Sequence, residues 1–248
     1  MNIARLVGKA LHTAPYTAAI ILAAGCGNRM GGASVTKQLR LVGSLPIAVR
    51  SMLAFEQCPE ISEILLVVRE DEETVMKKLA EENGIKKLSK VVIGGNTRQE
   101  SAKNGFLSLS KKAKFVAIHD AARCLVLPEQ ISAVVKAAWD CRAATAATPI
   151  CDTIKKVTPE GFVESTVPRE NIFAAATPQV FDCDLYAAAL YAAEKRGDSV
   201  TDDNMLMEAI SQAVKIVDCG RNNFKITTEE DIFLAEAVLQ RREATDAD

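Results

Sequence analysis

Apolar and polar positions change period repeatedly along this chain. Apolar runs at Ala18–Ala23, Glu63–Val68, Lys90–Ile93, Phe115–His119, Thr145–Pro149 and Val214–Val217 have the length of strands. Several lack polar alternation, which predicts strands covered on both faces. Between them, Pro46–Gln57, Glu72–Glu82, Thr97–Ser110, Pro128–Ala138, Asp184–Lys195, Asp203–Ile210 and Glu229–Gln240 carry apolar residues at helical spacing. Pro46 and Pro128 fall at helix starts, where a missing N–H costs least. Strands alternating with helices pair in parallel through right-handed crossovers. The pattern therefore predicts an α/β fold, a doubly wound and mostly parallel sheet.

One stretch breaks the rhythm. From Cys151 to Val167 no helical spacing is visible. Thr153–Val157 and Gly161–Val167 read as strands, and Thr158-Pro159-Glu160-Gly161 has turn chemistry between them. The prediction is a β-hairpin bounded by Pro149 and Pro168. An isolated hairpin is marginal in water, so it must rest on something. The pattern leaves two supports equally open: the main sheet, as a flap, or another subunit, as an arm.

Composition narrows the class. A chain of 248 residues fits a single α/β domain. At that size folding buries roughly 70–75% of the unfolded surface, so neither disulfides nor a metal is needed to hold the core. The seven cysteines are an odd set without a CxxC pair, which argues against a disulfide framework and a zinc site and suits a reducing compartment. No apolar run approaches the ~18–20 residues of a membrane helix. The expectation is a cytoplasmic protein that engages no membrane. Met1–Pro15 carries Arg5 and Lys9 but no acid. It reads as a short extension, with an organellar address as the alternative. The expected division is an extension over 1–16 and one domain over 17–248, with the β-arm at about 150–170.

Charge adds a polarity that the net value hides. The formal net charge is −2, yet the first acid is Glu56, and six basic residues precede it. A basic N-terminal part suits an anionic ligand. The cations are scattered and barely interleaved with aromatics, which disfavours a nucleic-acid surface.

Candidate chemistry gathers at strand ends. Ile20–Ala24 leads into Gly25-Cys26-Gly27-Asn28-Arg29-Met30 and on to Thr36-Lys37-Gln38. Small residues let backbone N–H groups approach phosphate oxygens, and Arg29 and Lys37 supply positive charge. No Gly-Lys-Ser/Thr closes a Walker loop, and Met30 stands where a dinucleotide fingerprint needs its third glycine. Gly94-Gly95-Asn96-Thr97-Arg98-Gln99-Glu100-Ser101 follows a strand and opens a helix, with Thr97 and Glu100 spaced as a capping box. Asp120 ends the Phe115–His119 run, on the edge where open α/β sheets bind ligands. A carboxylate there suits Mg²⁺ and substrate phosphates. His119 points to the other side of the strand, as a core histidine. With only two histidines in the chain, a Ser-His or Cys-His mechanism is unconvincing. In Thr201-Asp202-Asp203, Thr201 reads most simply as a helix cap.

In this order and spacing the motifs resemble the 2-C-methyl-D-erythritol 4-phosphate cytidylyltransferase family, over about Thr17 to Leu239. The most specific parts are Leu22-Ala23-Ala24-Gly25…Arg29-Met30…Lys37-Gln38, His119-Asp120-Ala121-Ala122-Arg123, Asp152-Thr153-Ile154-Lys155, Thr177-Pro178-Gln179 and Lys225-Ile226-Thr227-Thr228. The resemblance implies transfer of CMP from CTP to methylerythritol phosphate. It implies Arg29, Lys37 and Lys225 as catalytic cations. Ala23, Ala24, Gly25, Gly95, Asn96 and Ser101 would contact CTP. Asp120, Arg123, Thr153, Arg169, Thr177 and Lys225 would contact substrate, with Mg²⁺ or another divalent cation on Asp120. It also implies a homodimer through the β-arm, each arm completing the neighbour's site. Three residues depart from the family's habit: Thr36 and Cys124 stand where proline is usual, and Asn96 where a small or acidic residue is common. A cytidylyltransferase for another polyol phosphate, such as ribitol 5-phosphate, is the nearest alternative. A nucleotide-binding regulatory protein without catalysis is the alternative of a different class.

Overall fold

A computed structural model describes residues 14–25 and 36–246 of the chain. The described part of the chain begins with β1 (Thr17–Leu22). A 3-10 turn at Lys37–Leu39 then leads to β2 (Leu41–Val42), β3 (Leu45–Pro46) and α1 (Ile47–Gln57). Next come β4 (Ile61–Val68), α2 (Glu73–Glu82), β5 (Leu88–Ile93), α3 (Arg98–Leu107), β6 (Phe115–Asp120), α4 (Pro128–Cys141) and β7 (Ala143–Pro149). The hairpin strands are β8 (Ile154–Val157) and β9 (Val163–Val167). The last elements are β10 (Phe173–Asp182), α5 (Cys183–Arg196), α6 (Asn204–Glu208), β11 (Lys215–Asp218) and α7 (Glu229–Asp246). Every helix and strand expected from the periodicity is present, with ends moved by a few residues.

Seven strands form the main sheet in the order β11-β7-β10-β6-β1-β4-β5. β1 pairs in parallel with both β4 and β6, and β4 with β5 and β7 with β11 are also parallel. β10 runs antiparallel to both of its neighbours. Sequence reading missed β10 because Pro178 lies inside it, and a proline inside a run argues against a central strand. Here the ladder to β7 shifts register between Ala175 and Gln179, so Pro178 falls where no ladder donor is needed. The Thr177–Pro178 peptide is cis.

Alternate residues of the central strands feed two apolar layers. Ala19 and Ile21 of β1 pack with Met52, Phe55 and Met76 under α1 and α2. Ile20 and Leu22 pack with Val116, Ile118, Phe181 and Tyr186 on the α3 and α5 side. The same alternation puts His119 against Phe55, ring centroids 4.9 Å apart, and turns Asp120 the other way. A third cluster of Val42, Ile47, Cys124, Leu125, Ile226, Ile232 and Ala235 seats α7 and the segment before it. Among the described residues no helix is long and apolar enough to cross a membrane.

β8 and β9 pair only with each other, as a separate antiparallel sheet. The turn closes through Gly161 N–H to Thr158 O at 3.0 Å, and Gly161 adopts φ +88°, a left-handed conformation that glycine tolerates. Val157, Phe162 and Val163 are exposed at its far end.

Candidate active site

The C-terminal ends of β1, β4, β5 and β6 open into one cavity of about 450 Å³. It lies beside β1, where successive strands are added first on one side (β4, β5) and then on the other (β6), and such a switch point opens a crevice. Leu22, Ala24 and Gly25 form one wall, Gly94–Arg98 a second, and Lys37, Asp120 and Lys225 converge on the space between. Gly94 is fixed by crowding: a Cβ there would fall 2.5 Å from that of Ala24 and 2.9 Å from Ser101 Oγ. The wall after β5 is braced by α3. Thr97 Oγ1 accepts from Glu100 N–H at 3.0 Å, while Glu100 Oε2 accepts from Asn96 N–H at 2.7 Å. The acid therefore reaches one residue further back than a capping box requires. Ser101 Oγ accepts from Gly95 N–H at 3.0 Å.

Asp120 is the electrostatic centre. Lys225 Nζ donates to its Oδ2 at 2.7 Å and Arg98 Nε to its Oδ1 at 3.0 Å. Burial acts to raise the Asp120 pKa, but the Arg98 and Lys225 charges outweigh it and hold the carboxyl well below the usual range. Its backbone N–H donates to Thr177 Oγ1 at 3.0 Å, and that hydroxyl lies 2.9 Å from His119 Nδ1. Burial pushes the His119 pKa down to about 3, so the ring is neutral near pH 7.

Lys37 and Lys225 are tied through the backbone of Ile226. Lys37 Nζ donates to Ile226 O at 3.2 Å, and Ile226 N–H donates to Ala122 O at 2.9 Å. Arg40 pairs with Glu229 through both Nη atoms, which holds the start of α7 against the end of the Lys37–Leu39 turn. Asp231 accepts from Thr227 N–H, Thr227 Oγ1 and Thr228 N–H at 2.7–2.9 Å, so the helix is capped from within rather than by a threonine. Thr36, where proline was expected, has φ −66°, a value proline also takes, and its hydroxyl donates to Glu72.

Of the residues expected from sequence, Ala24, Gly25, Lys37, Gly95, Asn96, Ser101, Asp120 and Lys225 line the cavity. Ala23 is buried, and its N–H is spent on Val67 O at 2.7 Å. Thr177 is also buried, beneath Asp120. The Arg123 guanidinium donates to Asn223 O at 2.9 Å and to Ala175 O at 3.4 Å, and Arg123 does not line the cavity. Thr153 and Arg169 stand at the base of the hairpin, exposed, with Arg169 donating to Cys151 O. Arg29 lies outside the described residues.

Two residues that the sequence reading passed over complete the cluster. Arg98, read only as part of a capped helix start, bridges Asp120 to Asp203, with Nη1 donating to Asp203 Oδ2 at 2.6 Å. Asp203, read only as the start of a helical pattern, is 1% exposed and also accepts from Tyr186 OH at 2.6 Å. The available signal was an arginine three residues after the glycine pair of a ligand wall.

Among the described residues no three His, Cys, Asp or Glu side chains group as a metal cage. The donor set nevertheless fits a phosphate-borne divalent cation. Mg²⁺ commonly takes one or two carboxylates plus substrate phosphates and water. Asp120 has about four lone-pair sites, and two of them receive Arg98 and Lys225.

The family model for 2-C-methyl-D-erythritol 4-phosphate cytidylyltransferase matches residues 17–241. A protein of that name from Desulforamulus reducens is 43% identical over 225 residues, covering 90% of this chain and 96% of that one. Another, from Pelotomaculum thermopropionicum, is 39% identical over 91% of this chain and 95% of its own length. Among solved structures, 4-diphosphocytidyl-2C-methyl-D-erythritol synthase from Anaerococcus prevotii superposes with a TM-score of 0.81 at 31% identity, covering 92% of this chain and 97% of that one.

Proposed function

The chain belongs to the 2-C-methyl-D-erythritol 4-phosphate cytidylyltransferase family, and on that premise we propose which of its groups carry the reaction. The enzyme is a nucleotidyltransferase. It transfers CMP from CTP to 2-C-methyl-D-erythritol 4-phosphate, giving 4-diphosphocytidyl-2-C-methyl-D-erythritol and pyrophosphate, a step of isoprenoid precursor biosynthesis.

An acceptor phosphate oxygen attacks the α-phosphorus of CTP. The new P–O bond forms as the bond between that phosphorus and the bridging oxygen to the β-phosphorus breaks, and pyrophosphate leaves with the bonding pair. The attacking oxygen is already anionic near neutral pH, so no strong base is required. The obstacle is repulsion between two anions and charge growing around phosphorus, which calls for positioning and fixed positive charge. The observation that carries the reading is the convergence of Lys37 and Lys225 on one cavity beside Asp120. Lys37, with Arg29, would hold the triphosphate and stabilise the leaving pyrophosphate. Lys225 would hold the attacking phosphate. Ala24, Gly25, Gly95, Asn96 and Ser101 would bound the nucleotide, with Ala23 behind them. Asp120 would hold a Mg²⁺ ion brought by the phosphates. When bound, that ion would neutralise phosphate charge.

Thr153 and Arg169 fit a role in trans: they stand on the hairpin base, outside the cavity of their own chain. We read the hairpin as the arm of a homodimer, with its exposed Val157, Phe162 and Val163 covered by the partner. Arg123 and Thr177 support the acceptor side from beneath, through the backbone and Asp120. We read the enzyme as cytoplasmic, in keeping with six free cysteines among the described residues, and as having no nucleic-acid or membrane partner.

Pyrophosphate release from CTP, followed with methylerythritol phosphate and ribitol 5-phosphate in parallel, tests the acceptor. Release with the first and little with the second is expected. Preference for ribitol 5-phosphate would overturn the acceptor assignment, and release with neither would overturn the catalytic one.

A further inference from the structure

Arg98 is at the junction of two acids that differ in position. Asp120 faces the cavity, whereas Asp203 and Tyr186 lie behind it and line none of it. The far end is firmly held. Asp203 N–H donates to Gln179 Oε1 at 2.9 Å, and Gln179 Nε2 donates to Asp202 at 2.9 Å. Tyr186 is fully buried, stacked on Phe181 at 5.5 Å and edge-on to Phe106 at 4.9 Å. From this anchor the guanidinium reaches forward, Nη1 on Asp203 and Nε on Asp120. A planar fork can hold two carboxylates in fixed directions, which the point charge of a lysine cannot.

We propose that Arg98 is a positioning residue for CMP transfer, aiming the Asp120 carboxylate so that Lys225 meets the reacting phosphates, and that Asp203 and Tyr186 act through it. The proposal rests on the roles given above to Asp120 and Lys225. Two cations compete for incoming phosphate oxygens here. Arg98 is committed to a buried acid on its other side, so it stays on Asp120. Lys225 rides on a flexible four-carbon stem and is the one free to turn from Asp120 to phosphate. Arg98 is also the first residue of α3, directly after the Gly94–Thr97 wall, so the nucleotide wall and Asp120 share one support.

The test is a double-mutant cycle on kcat and KM with the full chain. Asp203→Asn should lower kcat about 10-fold, and Arg98→Lys at least as much, as expected of a displaced catalytic constellation. KM for CTP should stay within about 2-fold, since uniform binding is untouched. In an Asp120→Asn background Asp203→Asn should cost nothing further. A role confined to the fold would instead lower the thermal midpoint and cost the same in both backgrounds, and that result would overturn the proposal. Wild-type kcat in Asp203→Asn would do the same. If Asp203→Asn does not fold, Tyr186→Phe replaces it, with a loss of about 3-fold that vanishes with Asp120→Asn. Asp120→Asn alone separates the two failures. If it leaves kcat unchanged, the reading of Asp120 falls and this one with it. If it lowers kcat while Asp203→Asn does not, only the role of Arg98 falls.

Discussion

The cavity edge of the sheet and the hairpin differ in almost every physical respect. β1, β4 and β6 are buried nearly throughout, and the charges at their ends are paired on both sides. β8 and β9 are solvated, and their ion pair Lys156–Glu164 is exposed. The acceptor residues expected from sequence are split between these two regions. On the proposed roles, the difference teaches that one chain would hold most of the nucleotide half and a displaced acceptor half. Chemistry that needs fixed charge in low dielectric belongs to the sheet edge. Recognition that another chain can supply belongs to the hairpin.

The largest expected effect breaks the sheet edge itself. Lys225→Ala or Lys37→Ala should each lower turnover by ~10²–10³, about 3–4 kcal/mol of barrier, as loss of a preorganised charge does. Steady-state pyrophosphate release measures it, and near-wild-type turnover in either variant would erase the distinction between the regions.

Next comes a pH effect that only the buried region should show. The folded His119 pKa of about 3 lies below the 6.5 of the unfolded chain, so at pH 5 the unfolded state binds the extra proton. The stabilising contribution is full above about pH 6.5 and is lost as pH falls toward 3. Between pH 7 and pH 5 it should remove about 2 kcal/mol from the unfolding free energy. Urea unfolding at the two pH values tests this, and His119→Asn should flatten the difference.

Arg169→Ala sharpens the comparison from the other side. It should raise KM for the acceptor about 10-fold while KM for CTP stays close to wild type, as loss of one charged contact would. Mixed with Lys225→Ala, it should regain part of the activity in hybrid dimers, because one site in each hybrid is intact. No recovery despite verified subunit exchange would return Arg169 to its own chain's site. The smallest effect concerns the Arg40–Glu229 pair, which is partly exposed. Arg40→Gln should cost about 0.5 kcal/mol of stability after solvent screening, near the middle of the range for such pairs. Denaturant midpoints at low and high salt would measure it.

Much of this contrast was legible in the residues. Period alone located the helices, most strands and the hairpin, and glycines at strand ends marked the cavity wall. The alternation along Phe115–Asp120 told His119 from Asp120 correctly, because a strand has only two faces. β10 was illegible because Pro178 speaks against a strand unless the register shift beside it is known. The Arg98–Asp203 bridge joins positions 105 residues apart, and no local pattern reports such a pairing. Thr97 and Thr201 both read as helix caps, so the residues near them were assigned to local duty. Arg123 and Thr177 do not line the cavity of this chain, and a motif gives order along the chain but not depth from the surface.

The backbone of Ile226 has a consequence for how this protein can vary. Its carbonyl holds Lys37, its N–H holds the turn after β6 at Ala122, and the preceding side chain holds Asp120. The segment works as a ruler. One inserted residue would advance it by up to ~3.3–3.6 Å, more than the length of any of these bonds, so all would be lost together. Substitutions here are graded, but changes of length are all-or-none. The Thr158–Gly161 turn, bonded chiefly to itself, is where this chain can best absorb an added residue.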